Sequence, residues 1–555
     1  MTNPPAAGGA ETPPEGTGLS RRTAGPPFGP SWVAFAACVA AVGLVNLPNF
    51  VYPFFEDSAL FAAVGRWMHA GLLPDRDLLD MKPPGMHWVS YITYTLFGTS
   101  SLGARAVELL FILATAIACG RITERSESAP GGWTALLCGI LSSGAIWGLP
   151  ERGQLEFYQS AILAWGCCLL IEGGLTVRLR VIVASGILLA MAAWFKPQAG
   201  LLGIILAIAL SALLLRRDGL RQAGRGVAAL AAGAAAISVL FIAWLWATGA
   251  LRPFLDTMLV INRDYVSLRG SPSLVQALLA VRPDALSTAA IVATAGFVAA
   301  GVMTSLRRSE AARAAWPRVV VELWLIAAFV QFWSGGQLFN YHKIILVAPV
   351  ACLAGQGSWA LSRSLGAWLP AAVGRTRGVL ARTVLVAYVL LLTATPKLLV
   401  ETTALSRWIT GRASGANIQC QFGKEPHYYD YCSQLTAARY VRDRTRSGES
   451  VQVIGIGAAF YLTVDRPPAT RFLLASLAFD PRFRGKPERF REFMTALLRR
   501  PPAYIMVRTN DFFPWFGLPS GLRMVEGEPE LREFVRDRYV PEGEVSPGFL
   551  AFRRR

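Results

Sequence analysis

Charge is scarce in this sequence. Only 16% of its 555 residues are charged, against 53% hydrophobic and a mean hydropathy of +0.40, and that balance excludes a soluble globular domain of average composition. The sequence also lacks the metal-ligand spacing H-E-x-x-H, a P-loop and the nucleophile turn G-x-S-x-G. Without a P-loop, cytoplasmic ATP is not the expected energy source, so an activated substrate has to arrive with the membrane. Tandem repeats are absent, and low complexity is confined to the N-terminal tail. No cleavable signal peptide is expected, because the first apolar run begins only after about thirty Pro/Gly/Thr-rich residues and is long enough to stay in the bilayer. Residues 1–30 are expected to be a disordered cytoplasmic tail.

Cysteine is scarce where it could do chemistry. Of eight cysteines, Cys38, Cys119, Cys138, Cys167, Cys168 and Cys352 lie in apolar runs, where a thiol behaves as a small hydrophobe. Only Cys420 and Cys432 fall in polar sequence, and they are expected to pair as a disulfide if that region faces an oxidising compartment. No metal site and no cofactor is indicated. A divalent cation stays an open option that nothing in the sequence calls for.

What the sequence has in abundance is apolar runs of about twenty residues, the length of a bilayer span. They fall near 31–50, 104–122, 131–149, 157–175, 181–195, 199–215, 227–248, 285–306, 319–333, 341–361 and 379–400. The expected fold is a polytopic α-helical membrane protein with about eleven transmembrane helices. Residues 86–97 are apolar but short and rich in Trp and Tyr, as suits an interfacial segment. If that segment does not cross, the arginine-bearing loops all fall on one side, which the positive-inside rule makes the cytoplasm. The net charge of +18 then reads as topology signal and lipid contact rather than nucleic-acid binding.

This topology makes 31–400 a membrane domain with a large external loop at 51–103. After residue 400 the composition turns mixed, with β-type runs at 451–456 and 504–507 and helical patterns near 434–446, 487–499 and 530–538. Residues 401–555 are therefore expected to form a small extracytoplasmic α/β or α+β domain.

The external loop carries the chemistry. It gathers Glu56, Asp57, Asp75, Asp77 and Asp80 among apolar residues and closes on Lys82-Pro83-Pro84. Asp57 has two readings that spacing alone leaves open, a helix-capping carboxylate and an acid-base group. Lys82 and Lys196, each followed by proline, either snorkel to lipid headgroups or hold a phosphate. Glu151, Arg152 and Glu156 add to this external polar rim, as does the turn Gly335-Gly336-Gln337 with Tyr341, His342 and Lys343 after it.

The stretches Asp57-Ser58, Gly71 to Asp77, Asp80 to Gly85, Phe195-Lys196-Pro197-Gln198 and Gly335 to His342 resemble the GT-C membrane glycosyltransferases. The branches they are similar to are the protein O-mannosyltransferases, the aminoarabinose transferases and the lipopolysaccharide galacturonosyltransferase-like proteins. The resemblance covers about residues 31 to 400 and implies a sugar donor on a polyprenyl phosphate and an inverting displacement. It implies that Asp57 acts on the acceptor hydroxyl and that Lys82, with Lys196 and Arg152, contacts the donor phosphate. Glu56, Asp80, Glu151, Glu156, Tyr341 and His342 would support them. Where many relatives have Asp-Glu, this chain has Asp57-Ser58, which puts in doubt a paired glutamate and any metal it would hold.

The expected function is sugar transfer to a cell-envelope glycolipid, glycan or protein at the outer face of the plasma membrane, with the donor, membrane lipids and acceptor as partners and no nucleic acid. The alternative is a transporter or flippase of a lipid-linked sugar. That reading predicts ionisable residues and broken helices near the bilayer midplane, whereas these charges cluster at the outer ends of the runs.

Overall fold

The structure is a computed structural model. It describes residues 30–555 except 127, 144–145, 147–151, 268–271, 284–285, 308–311, 336–337, 369–373, 426–428 and 512–518. The N-terminal tail, Glu151 and most of the Gly335-Gly336-Gln337 turn thus lie outside the described residues.

Apolar helices dominate. They include α1 (Pro30–Asn46), then after the external segment α4 (Ser101–Arg125), α5 (Gly131–Leu141), α6 (Leu155–Thr176), α7 (Leu179–Ala193), α8 (Gly200–Asp218) and α9 (Leu220–Ala247). Further along come α10 (Thr288–Arg307), α11 (Ala312–Ser334), α12 (Ile344–Trp368) and α13 (Gly374–Thr393). Seven of the described helices are long and apolar enough to cross a membrane, or up to eight if one bent pair counts as a span. This is a multi-pass membrane protein. Three further apolar helices, Gly131–Leu141, Leu179–Ala193 and Thr288–Met303, are shorter.

Small residues set the helix spacing, as expected where lipid leaves tight packing to hold helices together. A Cβ at Gly186 would collide with the Leu230 carbonyl, and one at Gly233 with the Val183 carbonyl, so α7 and α9 meet backbone to backbone. Gly301 and Gly357 do the same for α10 and α12.

The last apolar run does not continue to residue 400 as one helix. α13 stops at Thr393, and Pro396 starts α14 (Pro396–Ile409) at a bend of 73°. Proline lacks the N–H an uninterrupted helix needs but is suited to a first turn, and Thr395 caps the new helix by accepting from Leu398 N.

Between α1 and α4 the chain forms a helical hairpin, α2 (Glu56–His69) and α3 (Pro84–Phe97). α3 packs directly on α2, where a Cβ at Gly65 would collide with the Ser90 carbonyl. A mixed four-stranded sheet lies at the other end of the sequence. Its order is β3-β4-β6-β5, with β3 (Val451–Ile454) parallel to β4 (Tyr504–Arg508) and β6 (Phe549–Arg554) antiparallel to both β4 and β5 (Tyr539–Ser546). Every residue of β3 and β4 is buried.

The sheet and the hairpin share one core. Phe54, Phe55, Ala59, Leu60, Val64 and Trp67 pack in the same apolar cluster as Tyr429, Val453, Phe460, Tyr504 and Phe549. Polar ties reinforce it: Arg66 pairs with Asp465 and donates to the Leu462 carbonyl, and Leu79 N donates to Arg471 O at 2.7 Å. The segment carrying Asp57 is thus wedged between the helical bundle and the C-terminal region.

Candidate active site

The start of α2 aims the first carboxylate. Phe55 is its N-cap in extended conformation, and Ser58 Oγ accepts from Phe55 N at 2.9 Å while donating to Phe55 O at 2.7 Å. Ser58 therefore does the capping that the sequence offered as one role for Asp57. Asp57 lies in the first turn and is partly exposed. Its Oδ2 accepts from Tyr341 Oη at 3.4 Å.

Tyr341 comes from a 3-10 turn, Asn340–Lys343, at the head of α12. Its ring stacks on Phe339 with centroids 5.5 Å apart and meets His342 edge-on at 4.5 Å. Lys82 enters from the turn before α3, where Pro83 and Pro84 fix the chain at the helix start. Beside it, Asp80 Oδ2 and His87 Nε2 lie 2.9 Å apart, both buried. From the bundle, Glu156 in the first turn of α6 is fully buried and accepts from Lys196 Nζ at 2.9 Å through Oε1. His342 Nε2 stands 3.8 Å from that same oxygen.

Stretches distant in sequence thus bring Asp57, Asp80, Lys82, Glu156, Lys196, Tyr341 and His342 into one electrostatically coupled group. Burial raises the Asp57 pKa above the usual carboxylate range, Lys82 pulls it back, and Asp80 and Glu156 push it up again. At Lys82 burial favours loss of the proton, but Asp57, Tyr265, Asp80 and Glu156 outweigh it, so the ammonium is held more firmly than in water. A carboxylate moved toward neutrality beside a fixed cation is the pairing that acid-base work at an anionic substrate needs.

Other expected residues go elsewhere. Arg152 is fully buried, with its guanidinium 2.7 Å from Glu108 Oε1 and 4.4 Å from the Phe157 ring centroid. Glu108 also pairs with Arg105 at 2.6 Å, so the structure places Arg152 in a separate ion cluster at the heads of α4 and α6. Glu56 occupies the same turn as Asp57, at φ +26°. Cys420 and Cys432 are bonded to each other, outside the charged group.

Several residues of the site were not singled out in the sequence. His87 is one, and its signal was its place seven residues after Asp80. Gln159 is another: its Nε2 donates to the Ala192 carbonyl at 2.9 Å, its Oε1 accepts from Gln331 at 2.8 Å, and together they brace the Lys196 turn. Behind the site, Asp75 is fully buried at φ +62°, and neither carboxylate oxygen has a hydrogen-bond partner among the described residues. Thr257, beside it, gives its hydroxyl to the Pro253 carbonyl at 3.0 Å. Burial lifts the Asp75 pKa to about 7 against the pull of His87.

Among the described residues no group of three or more His, Cys, Asp or Glu side chains is arranged to hold a metal ion.

No family model and no curated protein sequence matches the chain. Solved structures do match it. ArnT from Cupriavidus metallidurans, bound to undecaprenyl phosphate, is 16% identical, with 94% of this chain and 97% of that one covered at a TM-score of 0.56. The same protein in its apo state gives 16% identity, the same coverage and a TM-score of 0.55. An Archaeoglobus fulgidus oligosaccharyltransferase tethered to an acceptor peptide aligns over 95% of this chain and 74% of its own, at 11% identity and a TM-score of 0.48. The chain thus has the fold of the ArnT structure, over the helical bundle and the C-terminal region alike.

Proposed function

We propose that the protein transfers a sugar from a polyprenyl-phosphate donor to a cell-envelope acceptor at the extracytoplasmic face of the plasma membrane. The observation that carries this reading is the meeting of Asp57 with Lys82, Lys196, Glu156 and Tyr341. The ArnT structure, which holds undecaprenyl phosphate on the same fold, supports a lipid-phosphate donor here.

In the displacement, negative charge builds on the departing phosphate and positive charge on the sugar ring, while the acceptor hydroxyl must lose its proton. Lys82 stabilises the phosphate, and Lys196, whose ammonium already donates to Glu156, adds a second cation by giving a further N–H to the incoming anion. Asp57 takes the acceptor proton, with its raised pKa bringing it closer to the working pH. Tyr341 orients the carboxylate. Arg152, held by Glu108, has a structural role in this scheme.

For topology, the seven long helices, the bent pair and the three shorter apolar helices would together cross the membrane eleven times. An odd number puts the two ends of the chain on opposite sides of the membrane, and the arginine loops then put the N-terminal tail in the cytoplasm and residues 411–555 outside. Purified protein given a radiolabelled polyprenyl-phosphate sugar and envelope extract should label an acceptor and release polyprenyl phosphate. Mass analysis of surface glycans and glycolipids from a strain lacking the gene then identifies the sugar. Unchanged glycans and no donor turnover would defeat the proposal.

A further inference from the structure

A small loop of the C-terminal region bears directly on the residues that lead into Asp57. The disulfide between Cys420 and Cys432 closes a loop containing the two-stranded ladder β1 (Lys424–Glu425) and β2 (Tyr429–Asp430), in which Glu425 pairs with Tyr429. Lys424 and Asp430 add an ion pair at 3.2 Å across the ladder. The loop residues Phe422, Gly423 and Tyr429 lie along the chain from Tyr52 to Phe55. Phe422 meets the Tyr52 ring edge-on with centroids 5.2 Å apart, and a Cβ at Gly423 would come within 2.6 Å of Pro53 Cγ. Tyr429 is buried, donates its hydroxyl to the Phe54 carbonyl at 3.0 Å, and sets its ring 4.5 Å from that of Phe55.

These contacts end where the backbone is least relaxed. Glu56 follows Phe55 at φ +26°, a conformation that a non-glycine residue keeps only when its surroundings enforce it. Asp57 is the next residue, so its direction depends on how firmly Phe54 and Phe55 are held. Ser58 holds the turn from the helix side, and the loop holds it from the other.

We propose that the disulfide-closed loop 420–432 is a latch for the Phe54–Asp57 turn, and that Tyr429 is a positioning residue for Asp57. The proposal rests on the transferase reading only for its catalytic consequence. The latch itself is a statement about geometry and is tested without turnover.

The first arm uses the full-length protein with Asp57→Cys as a reporter, labelled by a charged maleimide, with the parent's six other thiols as background. Tyr429→Leu and the Cys420→Ser/Cys432→Ser pair should each raise the labelling rate at position 57 several-fold. Tyr429→Phe, which keeps the ring on Phe55, should raise it less. The second arm keeps Asp57 and measures sugar transfer. Tyr429→Leu and the double serine variant should lower kcat roughly tenfold to a hundredfold, as ångström-scale misplacement of a reacting group does, with KM for the donor nearly unchanged and Tyr429→Phe close to the parent. If Tyr429→Leu does not yield folded protein, the serine pair and Tyr429→Phe carry the comparison. Unchanged labelling overturns the latch, and faster labelling with normal kcat overturns the positioning role. Faster labelling in a protein whose parent transfers no sugar upholds the latch and defeats the transferase reading alone.

Discussion

Asp75→Asn should change how the protein's stability depends on pH, in a direction fixed by burial. In the folded protein the carboxyl is fully buried, and burial carries its pKa to about 7 against a reference of 3.8. Between those values the folded state binds the proton and the unfolded state does not, so stability is full below about pH 4 and falls as pH rises through 7. At 1.36 kcal/mol per unit, the difference amounts to about 4 kcal/mol across the interval. Asparagine tolerates the left-handed backbone at this position and cannot ionise. The assay is thermal unfolding of purified protein in detergent from pH 4 to 8. The parent should lose stability toward pH 8 and the variant should lose much less, so their difference grows in the variant's favour as pH rises. Parallel curves would refute the assignment of a buried, proton-binding carboxyl to Asp75.

Other outcomes follow from the same geometry. Lys82→Ala should weaken donor use at limiting donor more than Lys82→Arg does, since another cation keeps part of a phosphate contact; equal, parent-like behaviour of both would mean that Lys82 only snorkels. Counting free thiols on denatured, unreduced protein should leave Cys420 and Cys432 unreactive, and replacing both with serine should cost about 3 kcal/mol for a loop of this length. A membrane-impermeant thiol reagent applied from outside should reach a cysteine placed at Ser447 and not one at Gly219; the reverse would invert the topology.

Much of the site was legible because its residues are conspicuous where they stand. Asp57, Lys82, Glu156 and Lys196 are charges next to long apolar runs, and a proline after each lysine marks a turn at a helix end. Their mutual contacts were not legible. Tyr341 reaches Asp57 across 284 positions and Lys196 reaches Glu156 across 40, and no local periodicity encodes such meetings. For the same reason Arg152 read as part of an open rim, whereas its partner Glu108 lies inside an apolar helix, near its start.

The fold divides in the same way. The buried strands Val451–Ile454 and Tyr504–Arg508 announce themselves as short apolar runs. The hairpin of β5 and β6 does not, because β5 keeps polar residues on its open side and β6 ends in two arginines. The break at Pro396 was hidden by the apolar residues on both sides of it. Least visible was the shared core that joins Phe54 and Phe55 to the C-terminal sheet, since hydrophobic burial depends on what finally packs together and not on distance along the chain.

In the proposed mechanism the acid-base step belongs to Asp57. Capping of α2 belongs to Ser58, so Asp57→Asn should fold and insert like the parent. If the carboxylate takes the acceptor proton, the amide cannot replace it. Transfer of labelled sugar from a polyprenyl-phosphate donor by the purified variant should then fall by roughly 10² to 10⁴ at unchanged yield, with Glu56→Gln milder. Near-normal turnover by Asp57→Asn, or a greater loss from Glu56→Gln, would contradict the proposed mechanism.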